Sequence, residues 1–198
     1  GMMMDATINF GGAQRLQMFV CSSTLIAPDV VLLAAHCLDP DAMTYGFGTV
    51  DYHEVVWSRQ ADLSAYDGSG SADWPSDTVA AWDWVIHENF DLFSLGMGLT
   101  ENYDIALMFL DEPVLDVPHA YLITPEESDQ MGVDDQVIVV GWGQQVATSQ
   151  WEQPPAGSMM IKQMGTSHIA EIADYEFKVG EEESDVRKCH GDSGGPSF

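Results

Sequence analysis

The chain has 198 residues, with 32 acidic side chains against 6 Lys and Arg, a formal net charge of −26 and a hydrophobic share of 45%. That share supports a packed core and argues against disorder. The charge excludes nucleic acid as a partner, since phosphate contacts need Lys and Arg, and it repels an anionic membrane surface. No apolar run reaches the roughly 18 residues of a membrane span. The acids are spread along the chain, as on a hydrated surface suited to salty water. No basic, apolar and small-residue succession marks a signal peptide, and Gly1-Met2-Met3-Met4 is read as an appended residue plus a start, not a targeting signal.

In chain order, Leu16 to Leu25 alternates loosely and runs into a turn at Pro28-Asp29. Val30 to Ala35 is apolar throughout and short enough for a buried strand. Gly46 to Val56 reads as a strand pair. Ile105 to Leu110 is a further apolar strand that stops at Asp111-Glu112-Pro113. Gln136 to Val140 is closed by Gly141-Trp142-Gly143, and Met159 to Gln163 with Ser167 to Ile172 reads as another pair. A helical turn falls within Ala120 to Met131. Ser58 to Asp77 and Gln144 to Gly157 read as surface loops, and Pro113, Pro118 and Pro125 mark a connection. Many short strands with Gly and Pro punctuation predict an all-β protein.

Three segments carry chemistry. In Gly191-Asp192-Ser193-Gly194-Gly195-Pro196, a serine hydroxyl lies among glycines that let backbone N–H groups face a reacting oxygen. Such a hydroxyl needs a base to become a nucleophile. In Leu33-Ala34-Ala35-His36-Cys37, a histidine ends an apolar strand; alone it reads better as a satisfied core residue than as a catalytic one. In Asn102-Tyr103-Asp104-Ile105-Ala106-Leu107, an aspartate precedes a buried strand, as a cap or as the carboxylate that orients an imidazole. No His-Glu-x-x-His motif or comparable ligand cluster points to a metal hydrolase.

Taken together, in the order His, Asp, Ser, these motifs resemble the trypsin-like (chymotrypsin-fold) serine peptidases. Cys21-Ser22-Ser23-Thr24-Leu25-Ile26 resembles that family's Cys-Gly-Gly-Ser-Leu-Ile, Ile86-His87-Glu88-Asn89-Phe90 its His-Pro-x-Tyr segment, and Val140-Gly141-Trp142-Gly143 its Gly-Trp-Gly. The resemblance runs from Leu16 to the end. It implies two antiparallel β-barrels, residues 1–117 carrying His36 and Asp104 and residues 118–198 carrying Ser193, with the second barrel incomplete. It implies peptide-bond hydrolysis through an acyl-enzyme, with Ser193 as nucleophile, His36 as base, Asp104 orienting His36, and the N–H groups of Gly191 and Ser193 as oxyanion hole. A Cys21–Cys37 disulfide and secretion, or export to a periplasm, follow from the same resemblance. Protein or peptide substrates are the implied partners, and no resident cofactor or metal is.

Departures from the family pattern carry their own expectations. The resemblance implies further strands and a helix beyond Ser197-Phe198, and a partner there for Cys189, so the sequence reads as a piece of a longer protein. An incomplete barrel exposes a sheet edge, which predicts self-association. Ile8-Asn9-Phe10-Gly11-Gly12 has a faint likeness to an activation segment but lies only 13 residues before Cys21. The activation terminus is therefore expected outside this sequence, leaving Asp192, the family's zymogen-type carboxylate, without an evident partner. A truncated or zymogen-like binding protein is the rival to an active peptidase. Six residues before Ser193, at the base of the implied specificity pocket, stands Arg187, followed by Lys188. A cation there predicts an acidic residue before the scissile bond, unless Glu181, Glu182, Glu183 and Asp185 neutralise it. Finally, Asp67, Ser69, Ser71 and Asp73 have the alternate spacing of a calcium loop but lack an EF-hand's glycine and distal glutamate, so calcium is weighed there against a solvated acidic loop.

Overall fold

The computed structural model describes residues 1–66, 74–148, 154–155 and 157–198. The chain is all-β, with ten strands in two antiparallel sheets among the described residues. β1 (Met2–Phe10), β2 (Ala13–Cys21), β3 (Thr24–Ala27), β4 (Val30–Leu33), β5 (Gly48–Trp57), β6 (Val79–Ile86) and β7 (Ala106–Leu110) form the larger sheet, in the order β2-β1-β5-β6-β7-β4-β3. β8 (Gln136–Gly141), β9 (Gln163–Ile172) and β10 (Phe177–Val179) form the smaller one, in the order β10-β9-β8. Two short helices, α1 (Pro40–Thr44) and α2 (Pro125–Ser128), lie between strands. α2 is the turn expected within Ala120 to Met131, closed by a reciprocal cap between Thr124 and Glu127.

The larger sheet curls on itself. Its end strands β2 and β3 are successive in the chain, joined through the fully buried Ser22 and the buried Ser23. The curl lets Met2, Met4 and Val55 share one core with Val31, Leu33, Ala106 and Met108. Each fully buried aliphatic side chain of this kind adds about 1.5–3 kcal/mol relative to exposure. Ala106, Met108 and Leu110 of β7 alternate inward with half-buried Leu107 and Phe109, the period-2 pattern of a strand with one face on the core.

Several expectations are corrected. Met2, Met3 and Met4 belong to the fold: all three are fully buried in β1, between β2 and β5. Gly11-Gly12 closes the β1–β2 hairpin, in keeping with an activation terminus expected elsewhere, with Phe10 opposite Ala13 and φ of 57° and 85°. Positive φ at both central residues is what a two-residue turn matching strand twist requires, and glycine meets it without strain. Gly46 to Val56 is not a pair but the single strand β5, with a bulge that leaves His53 between Tyr52 and Glu54 in the β1 register. Gln163 to Ile172 is likewise one strand. Gly165 in it is no turn: a Cβ there would lie 2.7 Å from Val186, so the glycine admits the packing of another segment.

Candidate active site

Strand pairing brings His36 and Asp104 together. β4 and β7 are antiparallel neighbours, with Leu33 opposite Ala106. Two residues beyond Leu33 the chain enters a 3₁₀ turn, Ala35–Cys37, which carries His36; two residues before Ala106 stands Asp104. The two side chains therefore meet at one end of the same strand pair. A disulfide from Cys37 to Cys21 ties this turn to the end of β2, with 6.4 Å between Cα atoms. Tyr52 of β5 donates its hydroxyl to the Leu38 carbonyl and holds the turn from the other side. Asp104 is held by Asn102, whose side-chain oxygen accepts from the Asp104 N–H at 3.1 Å.

Asp104 accepts two hydrogen bonds from one residue. Its Oδ1 takes the His36 backbone N–H at 2.8 Å and its Oδ2 faces His36 Nδ1 at 2.7 Å. An ionised carboxylate only accepts, so the network assigns the proton to Nδ1 and leaves Nε2 with its lone pair free. Both side chains are mostly buried, at 31% and 19% exposure.

Two tight turns shape the Ser193 loop. The Asp192 N–H donates to the Cys189 carbonyl at 2.9 Å, with Gly191 at φ +92°, the geometry of a turn whose third residue must be glycine. The Gly195 N–H donates to the Asp192 carbonyl at 2.9 Å. A trans peptide points its C=O and N–H in opposite directions. The His190 carbonyl is taken by the Gln144 N–H at 2.8 Å, which turns the Gly191 N–H the other way. The Asp192 carbonyl, bound by Gly195, does the same for the Ser193 N–H. Neither N–H has an acceptor among the described residues.

The loop packs onto the strand end that carries His36. A Cβ on Gly194 (φ +76°) would lie 2.7 Å from the Ala34 nitrogen and 2.8 Å from the Ser22 carbonyl oxygen, so only glycine fits beside Ser193. Ser193 is half-buried, and its hydroxyl has no hydrogen bond to His36 or to any other described residue. The structure thus joins Asp104 to His36 directly and brings the Ser193 loop against the same strand end without closing the last hydrogen bond.

Asp192, expected to lack an evident partner, has two. Its Oδ1 accepts the Gly143 N–H at 2.7 Å and its Oδ2 the Cys189 N–H at 2.9 Å. Gly141 and Gly143 form the cradle, since a Cβ on either would lie within 2.0 and 2.4 Å of the Asp192 carboxyl. The Gly-Trp-Gly motif was legible, but its role as a seat for Asp192 was not. Lys188 packs nearby and donates to the Gly195 carbonyl; burial lowers its pKa, opposed by the charge of Asp192.

Arg187 and Lys188 line a cavity of about 400 Å³ together with Asp192, Gln144, Gln163 and Val186. The acidic cluster does not pair with Arg187 through its carboxylates: Arg187 Nη2 donates to the main-chain carbonyls of Glu181 and Glu182, at 2.6 and 2.9 Å. Asp185 instead pairs with His168 at 3.1 Å and accepts the N–H groups of Glu181 and Glu182, which hold its pKa below the usual range. Cys189 is a half-buried free thiol. Cys21, His36 and Cys37 cluster closely enough to hold a metal, but both sulfurs are committed to the disulfide. The proposed calcium loop, Asp67 to Asp73, lies outside the described residues.

The comparisons agree with this fold. The family model described as Trypsin matches residues 5–198. The chain belongs to the trypsin-like, chymotrypsin-fold serine peptidase family. Kallikrein 1-related peptidase b24 of Mus musculus is 25% identical over 194 residues, covering 92% of this chain and 66% of the relative. Vitellin-degrading protease of Bombyx mori is 28% identical over 208 residues, covering 97% and 65%. Chymotrypsin-C of Rattus norvegicus is 30% identical over 189 residues, covering 89% and 60%. The chain spans just under two thirds of the length of these curated relatives.

Proposed function

We propose that this chain is the catalytic part of a serine endopeptidase. Ser193 Oγ attacks the scissile carbonyl while His36 Nε2 takes its proton. The tetrahedral oxyanion is received by the free N–H groups of Gly191 and Ser193. The C–N bond then breaks as His36 returns the proton to the leaving amine, and water cleaves the resulting ester by the same route. The observation that carries the reading is the two-point hold of Asp104 on His36, which fixes both the ring and its tautomer. Losing one oxyanion donor in such a site costs about 10²- to 10³-fold in rate.

The Ser193 hydroxyl without a hydrogen bond to His36 is also compatible with a second reading, a peptidase-fold protein that only binds. Catalytic hydrogen bonds often tighten only once substrate is present, so this geometry alone does not favour binding over hydrolysis. Incubation with an unfolded protein substrate separates the two: cleavage by the wild type and none by Ser193→Ala supports hydrolysis, and no cleavage by either overturns it.

The substrate is an extended peptide with an acidic residue before the scissile bond, matched to Arg187 and Lys188. Equal cleavage after Lys and Glu would remove that assignment. The disulfide and the free acidic surface suit an extracellular or periplasmic setting. Among the described residues no helix is long and apolar enough to cross a membrane. Exposed Tyr121, Leu122, Ile123 and Phe198 beside the smaller sheet support self-association.

A further inference from the structure

Ser22 stands where the family resemblance has glycine, and its side chain is fully engaged. It sits at the bend between β2 and β3 with no exposed surface. Its N–H donates to the Gly191 carbonyl at 2.8 Å, and its hydroxyl donates to the same carbonyl at 2.9 Å. The hydroxyl also accepts the Trp142 N–H at 2.9 Å. A hydroxyl offers one donor and acceptor lone pairs, and here both functions are used at once. The space is matched to it: a Cβ on Gly141 would lie 2.9 Å from Ser22 Oγ and one on Gly195 2.9 Å from Ser22 Cβ.

This bridge acts on a defined backbone unit. The Gly191 carbonyl belongs to the Gly191–Asp192 peptide, while the His190–Gly191 peptide is fixed through Gln144. With both flanking planes tied, Gly191 cannot rotate its N–H into another direction. A glycine at position 22 would keep one of the two bonds to the carbonyl. It would leave the buried Trp142 N–H without its acceptor, the costly case for a buried donor.

We propose that Ser22 is a positioning residue: its hydroxyl couples Trp142 to the Gly191 carbonyl and holds the Gly191–Asp192 plane, so that this plane and the His190–Gly191 plane fixed by Gln144 together keep the Gly191 N–H in its direction. The functional weight of this bridge rests on the reading of that N–H as an oxyanion donor, but the bridge itself does not.

The test uses the whole chain, wild type and Ser22→Ala, with Ser22→Gly as a second hydroxyl-free variant that adds no atoms. Amide hydrogen exchange at Trp142 and the ¹⁵N shift of Gly191 are read alongside exchange at Met108, which reports global stability. The expected result is Trp142 exchange at least about tenfold faster, a displaced Gly191 resonance and unchanged exchange at Met108. Unchanged Trp142 and Gly191 signals would overturn the proposal. The rate of fluorophosphonate labelling at Ser193 is then split into binding and reaction. A roughly tenfold slower reaction step with unchanged binding supports the positioning role. Equal reaction steps in wild type and variant overturn it. If the wild type does not label while the exchange effect is present, the bridge stands and the peptidase reading fails.

Discussion

Asp104 holds His36 at two points, the backbone N–H and the ring Nδ1, at 2.8 and 2.7 Å. One contact locates the turn and the other sets which ring nitrogen is basic. Replacing Asp104 by Asn keeps the shape but offers a donor to Nδ1 as well as an acceptor. The ring then turns to the tautomer protonated on Nε2. Labelling of Ser193 by a fluorophosphonate should slow by about 10⁴-fold, the size of a tautomer reversal in a Ser-His-Asp site. Thermal stability should fall much less. A drop of less than tenfold would mean that Asp104 does not set the tautomer.

Asp192 sits in a seat made by two glycines. Gly143→Ala places a methyl 2.4 Å from its carboxyl carbon, a contact that nothing short of moving Asp192 relieves. The variant should lose about 1–3 kcal/mol of stability, as overpacked sites do. It should also lose Ser193 reactivity, because the moving carboxylate drags the loop. Denaturant midpoints and labelling of the same sample check both. Full reactivity in a folded variant would show that the Asp192 contacts do not order the loop.

Strand pairing explains what the sequence disclosed and what it hid. β4 and β7 were legible because each is a continuous apolar run, and His36 and Asp104 were legible through the motifs at their ends. β1 was not: Asp5 interrupts its apolar pattern, yet it is buried, and the Tyr66 hydroxyl donates to it at 2.6 Å across 61 residues. No local signal announces such a partner. β5 was split because the bulge at His53 shifts its alternation, and β9 because Gly165 reads as punctuation when it is a contact with Val186. Ser22 is visible within a motif, but its hydrogen bonds run to Gly191 and Trp142, more than a hundred residues away in sequence.

Tyr52 makes stability sensitive to alkali. Burial, with the charge of Asp39 adding to it, pushes its pKa up to about 12, against 10 for the free group. The folded state thus keeps a proton that the unfolded chain releases. Stability from this group is full below pH 10, is lost between pH 10 and about 12, and changes no further above that. Tyr103, raised through its hydrogen bond to Glu101, acts in the same direction. The thermal midpoint should decline across this window in the wild type and decline less in Tyr52→Phe. Equal slopes would remove Tyr52 as the cause.

The net charge of −26 makes the fold salt-dependent. Among the described residues only Arg59 and Lys178 form ion pairs with carboxylates besides the histidines, so most of the acids repel one another. Raising salt from about 0.01 M to about 1 M shortens the screening length from roughly 30 Å to roughly 3 Å. The thermal midpoint should rise with sodium chloride over that range. A flat or falling midpoint would contradict the view that self-repulsion limits stability.

The proposed mechanism turns on the activation of Ser193 by His36. Fluorophosphonate labelling read by intact mass tests it most directly, with Ser193→Ala and His36→Ala as controls. One adduct is expected on the wild type, none on Ser193→Ala, and a greatly slowed adduct on His36→Ala. A wild type that stays unlabelled, or labels as fast without His36, would contradict that mechanism.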